Sequence, residues 1–114
     1  GGTYRWAAPE VFARHSSKRP RTSADVFSFG RLIFFVATGD VPLSEISERS
    51  IESATKQGQW LQPRWPRLVT PLIQWSQPIV EASSRLDPET RPRMQDVLDN
   101  LAQWPGCQEL ASHL

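Results

Sequence analysis

The sequence predicts a mainly α-helical fold, a bundle of helices around one buried central helix. Residues 24–38 carry apolar side chains on more than one helical face, and a helix of that kind is buried on most sides. Near the C-terminus, four apolar residues recur at i, i+3, i+4 and i+7, which marks one helical face: Met94, Val97, Leu98 and Leu101. No stretch alternates apolar and polar residues in the way a half-buried strand does.

The central helix is predicted to run from Ala24 to Thr38. Ser23 is a residue type that caps helix N-termini, and Asp25 in the first turn complements the helix dipole. Gly39 follows the last helical residue, where glycine adopts the left-handed conformation that ends many helices. These signals define the longest helix of the chain.

Shorter helices are predicted on either side of the central helix. Pro9 suits the first turn of a short helix over residues 9–12, and the polar, basic residues 14–21 indicate a loop. Ser47 is expected to cap a surface helix over residues 48–57, which Gly58 ends. That helix has few apolar residues, so it should lie at the surface.

The C-terminal half is predicted to contain three further helices. Residues 60–67 include two prolines and indicate an extended loop. Two short helices follow, over residues 68–75 and 79–86, with Pro78 between them because proline disrupts helix interiors. The last helix is expected to start near Pro92 and to end at about Trp104.

Composition and charge exclude several classes of protein. The 114 residues suffice for one small domain or one large fragment, and a net charge of +1 gives no general attraction to nucleic acid or to a membrane surface. No apolar run approaches the roughly 20 residues of a membrane-spanning helix. The single cysteine, Cys107, has no partner for a disulfide or a metal site. We therefore expect an intracellular, cytoplasmic protein without a metal site.

Four motifs occur in a fixed order. They are G-T-Y-R-W-A-A-P-E at residues 2–10, S-A-D-V-F-S-F-G at 23–30, T-G-D-V-P at 38–42 and D-P-E-T-R-P at 87–92. Together they resemble the C-terminal lobe of a eukaryotic protein kinase domain, in which A-P-E closes the activation segment. The first two motifs favour the tyrosine-kinase-like group of Ser/Thr kinases.

The resemblance implies an N-terminally truncated kinase lobe over residues 1–104. Within it, residues 1–12 would end the activation segment, residues 23–39 would form the central helix, and residues 87–104 would contain the arginine-proline motif and the last helix. Residues 105–114 would be a tail.

The resemblance also implies a loop that docks a protein substrate, made of Gly2, Thr3, Tyr4, Arg5 and Trp6. Thr3 corresponds to the threonine that Ser/Thr kinases hold near the catalytic aspartate. For Trp6, packing against the lobe is the favoured alternative to substrate contact. Ala7 departs from the family pattern, in which methionine is more usual.

Three charged residues receive structural roles from the resemblance. Glu10 and Arg91 would form a buried ion pair that anchors the activation segment, because a planar guanidinium matches a carboxylate. Asp25 would accept hydrogen bonds from backbone amides of the catalytic loop; its alternative role is to complement the helix dipole.

The sequence lacks the groups that transfer phosphate. It contains no G-x-G-x-x-G, no H-R-D and no D-F-G, which are the parts that hold ATP and Mg²⁺ and position the nucleophile in a kinase. ATP and Mg²⁺ are therefore implied for a complete parent domain, whereas this segment should bind neither and contain no catalytic residue.

Two functions are expected from these observations. The first is a fragment of an ATP-dependent protein Ser/Thr kinase that supplies the docking loop and the base of the lobe. The second is a non-catalytic, pseudokinase-like helical module that binds a protein partner through its surface helices. A chain cut at Gly1 should expose an apolar side of the central helix. Neither function involves nucleic acid or a membrane.

Overall fold

The computed structural model describes residues 3–12 and 22–106, and side chains from Tyr4 onward. These ranges contain α1 (Thr3–Trp6), α2 (Thr22–Thr38), α3 (Glu48–Lys56), α4 (Pro71–Ser83), α5 (Met94–Ala102) and two 3₁₀ helices (Pro9–Phe12 and Pro88–Thr90). Over these ranges the regular secondary structure is helical and contains no strand, so the predicted mainly α class is confirmed. Gly2, the predicted loop at 14–21 and Cys107 lie outside the described residues.

The hydrophobic core forms where α2 packs along α4, with α5 against both. Buried side chains from these helices make one cluster: Val26, Ile33, Phe34, Ile79, Val80 and Val97. Gly30 lies at the closest approach, because a Cβ atom at this position would be 2.8 Å from Cβ of Ser83. The bundle around α2 therefore depends on a helix contact that leaves no room for a side chain at Gly30.

The ends of α2 only partly follow the prediction. The helix begins at Thr22, so Ser23 lies inside the first turn and the prediction that Ser23 is the N-cap is wrong. The Ser23 carbonyl instead accepts a hydrogen bond from the Arg91 guanidinium. This hydrogen bond attaches the first turn of α2 to a distant part of the chain. At the other end, Gly39 has a φ of 77° and donates its N–H to the Phe35 carbonyl at 2.8 Å, as the sequence indicated.

One side of α2 is exposed. Leu32, Phe35 and Val36 are 47%, 38% and 68% accessible, and we call these three residues the α2 apolar face. The expectation that α2 is buried on most sides is wrong for this face, because α4 and α5 pack on the opposite side of the helix.

The surface helix α3 agrees with the prediction. The Ser47 hydroxyl accepts the N–H of Ser50 at 3.2 Å, and Gly58 follows the helix with a φ of 75°. Ile51 and Ala54 are its buried residues. Its polar composition therefore matches a helix that buries one narrow side.

The prediction of two short helices around Pro78 is wrong, because α4 continues through the proline. Thr70 caps it by accepting the Ile73 N–H at 3.2 Å. Pro78 removes one backbone donor and disfavours a helix interior, but Ile79 and Val80 immediately after it are buried against α2. Tertiary burial therefore outweighs the local cost of the proline.

The last helix begins at Met94, two residues after Pro92, and ends at Ala102. Val97 is fully buried, whereas Leu98 is 44% exposed, so the buried face is narrower than the sequence predicted. Among the described residues, no helix combines the length and the apolar character that crossing a bilayer requires.

The helix contact at Gly30 gives a direct test. We expect Gly30→Val to lower the free energy of unfolding by about 2 kcal/mol, because overpacking a tight contact costs that order of energy. Urea denaturation followed by circular dichroism measures the change. Gly106→Val is the control, since among the described residues no atom other than those of its chain neighbours lies within 4 Å of a Cβ at that position. An unchanged urea midpoint for Gly30→Val would show that α2 and α4 can move apart without a loss of stability.

Candidate functional site

The segment expected to dock a substrate lies across α2 and α3. Residues 3–6 form the single helical turn α1, which contacts both helices, and the 3₁₀ helix Pro9–Phe12 contacts α3. The prediction of a loop over residues 2–6 is therefore wrong for residues 3–6. Contacts with two helices give this turn a fixed place on the lobe.

Arg5 attaches α1 to the connection between α2 and α3. Its Nη1 donates to the carbonyls of Pro42, at 3.3 Å, and Leu43, and its Nη2 donates to the Ile46 carbonyl at 2.9 Å. Its Nε lies 3.9 Å from the carboxylate of Glu48. Leu43 has a φ of 60°, uncommon for a residue with a side chain. The Arg5 guanidinium therefore holds α1 against the connection between α2 and α3.

The aromatic residues of the segment pack against neighbouring rings. The Trp6 ring lies 6.0 Å from the Phe35 ring in an edge-on arrangement, and the Tyr4 and Phe12 centroids are 4.4 Å apart. Trp6 is half-buried. This contact supports the packing alternative for Trp6, while its role toward a substrate stays a prediction.

The alanine of the A-P-E motif lies in a small core. Ala8 is fully buried and clusters with Ala24 and Phe27 of α2. The Ala8 carbonyl accepts the Val11 N–H at 3.1 Å, which starts the 3₁₀ turn. Glu10 is carried by this turn.

Glu10 and Arg91 form a bidentate ion pair. Nη1 of Arg91 lies 2.6 Å from Oε2 of Glu10, and Nη2 lies 2.9 Å from Oε1. The Arg91 side chain is 0% exposed and that of Glu10 is 32% exposed. The resemblance implied that these two residues pair, and the structure brings them together.

The remaining donors of Arg91 all reach backbone carbonyls. Nε donates to Arg85 at 2.8 Å, Nη1 to Ser23 at 3.1 Å and Nη2 to Leu86 at 3.3 Å. A guanidinium has five N–H groups, so each has an acceptor. The guanidinium also lies 4.9 Å from the centre of the Phe27 ring. One buried cation thereby joins the A-P-E turn, the start of α2 and the chain after α4.

Asp25 occupies the first turn of α2 and is exposed. That position suits the helix-dipole role. The catalytic loop that it would support is outside this sequence, so the acceptor role stays a prediction. Thr3 begins α1, and its role near a catalytic aspartate likewise stays a prediction.

Sequence reasoning missed Arg31, which is buried within α2 with 3% exposure. Its Nη2 donates to the Leu61 carbonyl at 2.8 Å, and its guanidinium lies 4.8 Å from the Phe27 ring centre. Burial lowers the pKa of Arg31 to about 10. The available signal was one charge inside the apolar run of residues 26–36.

The groups that hold ATP and Mg²⁺ in a kinase are not found among the described residues. The sequence has no glycine-rich loop, and within residues 3–12 and 22–106 no cluster of His, Cys, Asp or Glu side chains could hold a metal ion. Phosphate and Mg²⁺ binding in a kinase rely on backbone amides of such a loop and on convergent carboxylates.

Comparison with known proteins agrees with the motifs and the fold. The family model described as protein tyrosine and serine/threonine kinase matches residues 2–101. The chain therefore belongs to the protein kinase family, as the resemblance had indicated.

Particular relatives lie among Ser/Thr kinases. The chain is 32% identical over 100 residues to mitogen-activated protein kinase kinase kinase 10 of Xenopus laevis, covering 88% of this chain and 9% of that protein. It is 31% identical over 102 residues to serine/threonine-protein kinase STY17 of Arabidopsis thaliana, covering 90% of this chain and 17% of that protein. These relatives are consistent with the tyrosine-kinase-like group. The chain spans less than a fifth of either relative.

The ion pair between Glu10 and Arg91 gives a second test. We expect Glu10→Ala to lower the free energy of unfolding by about 3 kcal/mol, because it leaves a buried guanidinium without its counter-ion. This is the low end of the usual cost, since Glu10 is partly exposed and Arg91 keeps three carbonyl acceptors. Urea denaturation measures the change.

Glu52→Ala is the matched control for Glu10→Ala. Glu52 pairs with Lys56 at 2.8 Å on the surface of α3, and exposed pairs contribute little. We expect no measurable shift of its urea midpoint. Equal effects of the two substitutions would contradict an anchoring role for the buried pair.

Proposed function

We propose that this chain is the C-lobe part of an ATP-dependent protein Ser/Thr kinase, in which it anchors the end of the activation segment and supplies the substrate-docking turn. The phosphate-transferring groups would come from parent sequence other than these residues. Such a domain would act on Ser or Thr hydroxyls of intracellular proteins.

The observation that carries the proposal is the bidentate pair of Glu10 with Arg91. Glu10 lies at the end of A-P-E and Arg91 lies in the arginine-proline motif, 81 positions apart. All five donors of Arg91 are hydrogen-bonded. Burying a charged pair costs desolvation free energy, so this arrangement indicates that the geometry of the two segments has to be fixed. An activation segment needs such geometry, because transfer of phosphate depends mainly on positioning.

The turn at residues 3–6 supports the docking part of the proposal. Arg5 fixes it to the connection between α2 and α3, and Trp6 packs on Phe35 of α2. A turn attached at both points can present its outer surface to a substrate without changing shape. We propose that the main chain and Thr3 contact the substrate, while Arg5 and Trp6 act as positioning residues.

An activity measurement tests the proposal. Transcript sequencing would extend the reading frame upstream of Gly1, and the extended protein would be assayed for ATP-dependent phosphorylation of a degenerate Ser/Thr peptide library. We expect transfer by the extended protein and none by the 114-residue chain alone. In the extended protein, Arg91→Met should lower the rate of phosphate transfer by about tenfold or more, because displaced docking groups position the substrate poorly.

Glu52→Ala in the extended protein serves as the control and should leave the rate unchanged. An upstream frame without a catalytic-loop aspartate would contradict an active kinase. An Arg91→Met protein that remains folded and fully active would contradict the anchoring role.

The alternative function is a non-catalytic helical interaction module. The observation that favours it is the buried cluster of α2, α4 and α5, which gives the chain a hydrophobic core of its own. The α2 apolar face bears on the choice, because three adjacent exposed apolar side chains indicate a surface that another polypeptide covers. In a kinase domain, other parts of the same domain would cover it.

The solution behaviour of the isolated chain distinguishes the two functions. For a kinase lobe we expect self-association, reduced by the double substitution Leu32→Gln and Val36→Lys, because these changes remove exposed apolar area. Light scattering after size-exclusion chromatography measures it. Leu68→Gln, at an exposed leucine outside this face, is the control. A monodisperse chain with a cooperative melt would support the module instead.

A further inference from the structure

The connection between α2 and α3 contains a backbone conformation that a side chain disfavours. Leu43 has a φ of 60°, and it is the one residue other than glycine with a positive φ among residues 3–12 and 22–106. This left-handed region is unfavourable for residues that carry a Cβ atom. Such strain persists where surrounding contacts fix the backbone, and it is concentrated at functional sites. A left-handed Leu43 therefore requires contacts that hold it.

Burial of the leucine side chain is the first of these contacts. Leu43 is 2% exposed. Together with Tyr4 of α1, Ala7 and Ile51 of α3, it lines a cavity of about 10 Å³. A cavity of this size is barely large enough for one water molecule, so on this side the leucine has little space in which to move.

The Arg5 guanidinium is the second contact. Its Nη1 donates to the Leu43 carbonyl and, at 3.3 Å, to the Pro42 carbonyl, and its Nη2 donates to the Ile46 carbonyl at 2.9 Å. The Leu43 carbonyl also accepts the N–H of Ile46 at 3.0 Å. This one carbonyl is therefore bonded both to α1 and to the connection itself.

The hydrogen bonds of Arg5 depend on the left-handed conformation. A φ in the usual negative range would rotate the Leu43 carbonyl about the N–Cα bond, away from the nitrogen that the Pro42 carbonyl also binds. The Arg5 side chain is only 14% exposed, and the donors of a cation that is largely removed from water cost free energy when they lose their acceptors. The strained backbone and the position of α1 therefore depend on each other.

We propose that Leu43 is a positioning residue for α1 and that it acts through Arg5. Its left-handed backbone directs the carbonyls of Pro42, Leu43 and Ile46 toward one guanidinium, and that guanidinium holds α1 at a fixed place beside α2 and α3. The consequence for a protein substrate rests on the docking role proposed above, whereas the coupling between Leu43, Arg5 and α1 does not.

A comparison of glycine and alanine at position 43 tests the backbone conformation. Both substitutions remove the buried leucine side chain, but only glycine adopts a positive φ without a steric cost. In urea denaturation of the 114-residue chain, followed by circular dichroism, we expect a higher midpoint for Leu43→Gly than for Leu43→Ala. Ser44→Gly and Ser44→Ala are the controls. Ser44 is exposed and does not have a positive φ, so alanine should be the more stable there.

The same comparison in an Arg5→Met background tests the link to α1. Without the guanidinium, the Leu43 carbonyl loses a contact that holds it, so the advantage of glycine over alanine should fall to less than half. The indole NMR signal of Trp6 should shift in Arg5→Met and in Leu43→Ala, and less in Leu43→Gly, because Trp6 lies on α1. Arg93→Met, at an exposed arginine before α5, is the control and should change neither quantity.

Kinetics of the extended protein test the consequence for docking. For one Ser/Thr peptide substrate, we expect Leu43→Ala to raise KM by about fivefold and to change kcat by less than about twofold, because a displaced docking turn weakens binding in ground and transition states alike. Leu43→Gly should raise KM less. A general loss of stability would lower the amount of active enzyme instead of changing KM.

Each part of the inference has a result that would overturn it. A Leu43→Ala chain at least as stable as Leu43→Gly would contradict the left-handed conformation. If neither variant folded, the unmodified chain would decide, because a strong NOE between the amide and α protons of Leu43 marks a positive φ and a weak one contradicts it. An undiminished glycine advantage in Arg5→Met would contradict the coupling. Should that background not fold, Arg5→Lys replaces it, since lysine lacks the planar fork of donors.

Failure of this inference and failure of the kinase proposal give different results. An extended protein that transfers phosphate with an unchanged KM in Leu43→Ala would contradict the positioning role alone. An extended protein without any transfer would contradict the proposed kinase, while the urea and NMR measurements on the 114-residue chain would still decide the coupling between Leu43, Arg5 and α1.

Discussion

The arrangement of this lobe depends on one buried guanidinium. Arg91 pairs with Glu10 and donates to the carbonyls of Ser23, Arg85 and Leu86. These acceptors lie on the A-P-E turn, the first turn of α2 and the chain after α4. An unpaired donor on a buried cation costs free energy, so the hydrogen bonds of Arg91 favour the arrangement in which the three segments keep their positions together. Packing of apolar side chains alone would not set this geometry, because it is not directional.

The Phe27 ring lies beside two buried guanidinium groups. Its ring lies within 5 Å of both the Arg91 and the Arg31 guanidinium groups, at 4.9 and 4.8 Å. The two arginines nevertheless have different surroundings. Arg91 is fully hydrogen-bonded, whereas Arg31 has one acceptor and two unused donors within the described part of the chain. Arg91 therefore links several distant segments through hydrogen bonds, whereas Arg31 makes one such link, to the chain that precedes α4.

The turn α1 shows how contacts with other elements hold a short helical segment in place. Four helical residues have little stability alone, since helix nucleation is unfavourable. Arg5 supplies directional bonds to the carbonyls between α2 and α3, and Trp6 supplies a ring contact to Phe35. Arg5 and Trp6, which the resemblance placed in a substrate-docking loop, therefore hold α1 against α2 and the connection between α2 and α3. The α2 apolar face lies beside this turn through Phe35, so a polypeptide that covered the face would also contact Trp6.

The sequence by itself determined the helical class, the kinase family motifs, the limits of α3 and the end of α2, because caps and left-handed glycines are local signals. Only the tertiary structure decided that α4 runs through Pro78, that residues 3–6 form a helical turn and which residues of α2 form its exposed face. In each case, packing between segments that are distant in the sequence outweighed the conformational preference of the local residues. The pairing of Glu10 with Arg91 was expected from the resemblance, but its full set of carbonyl acceptors was not. The burial of Arg31 was also beyond sequence reasoning, because whether a charge within an apolar helix is covered depends on the neighbouring helix and loop.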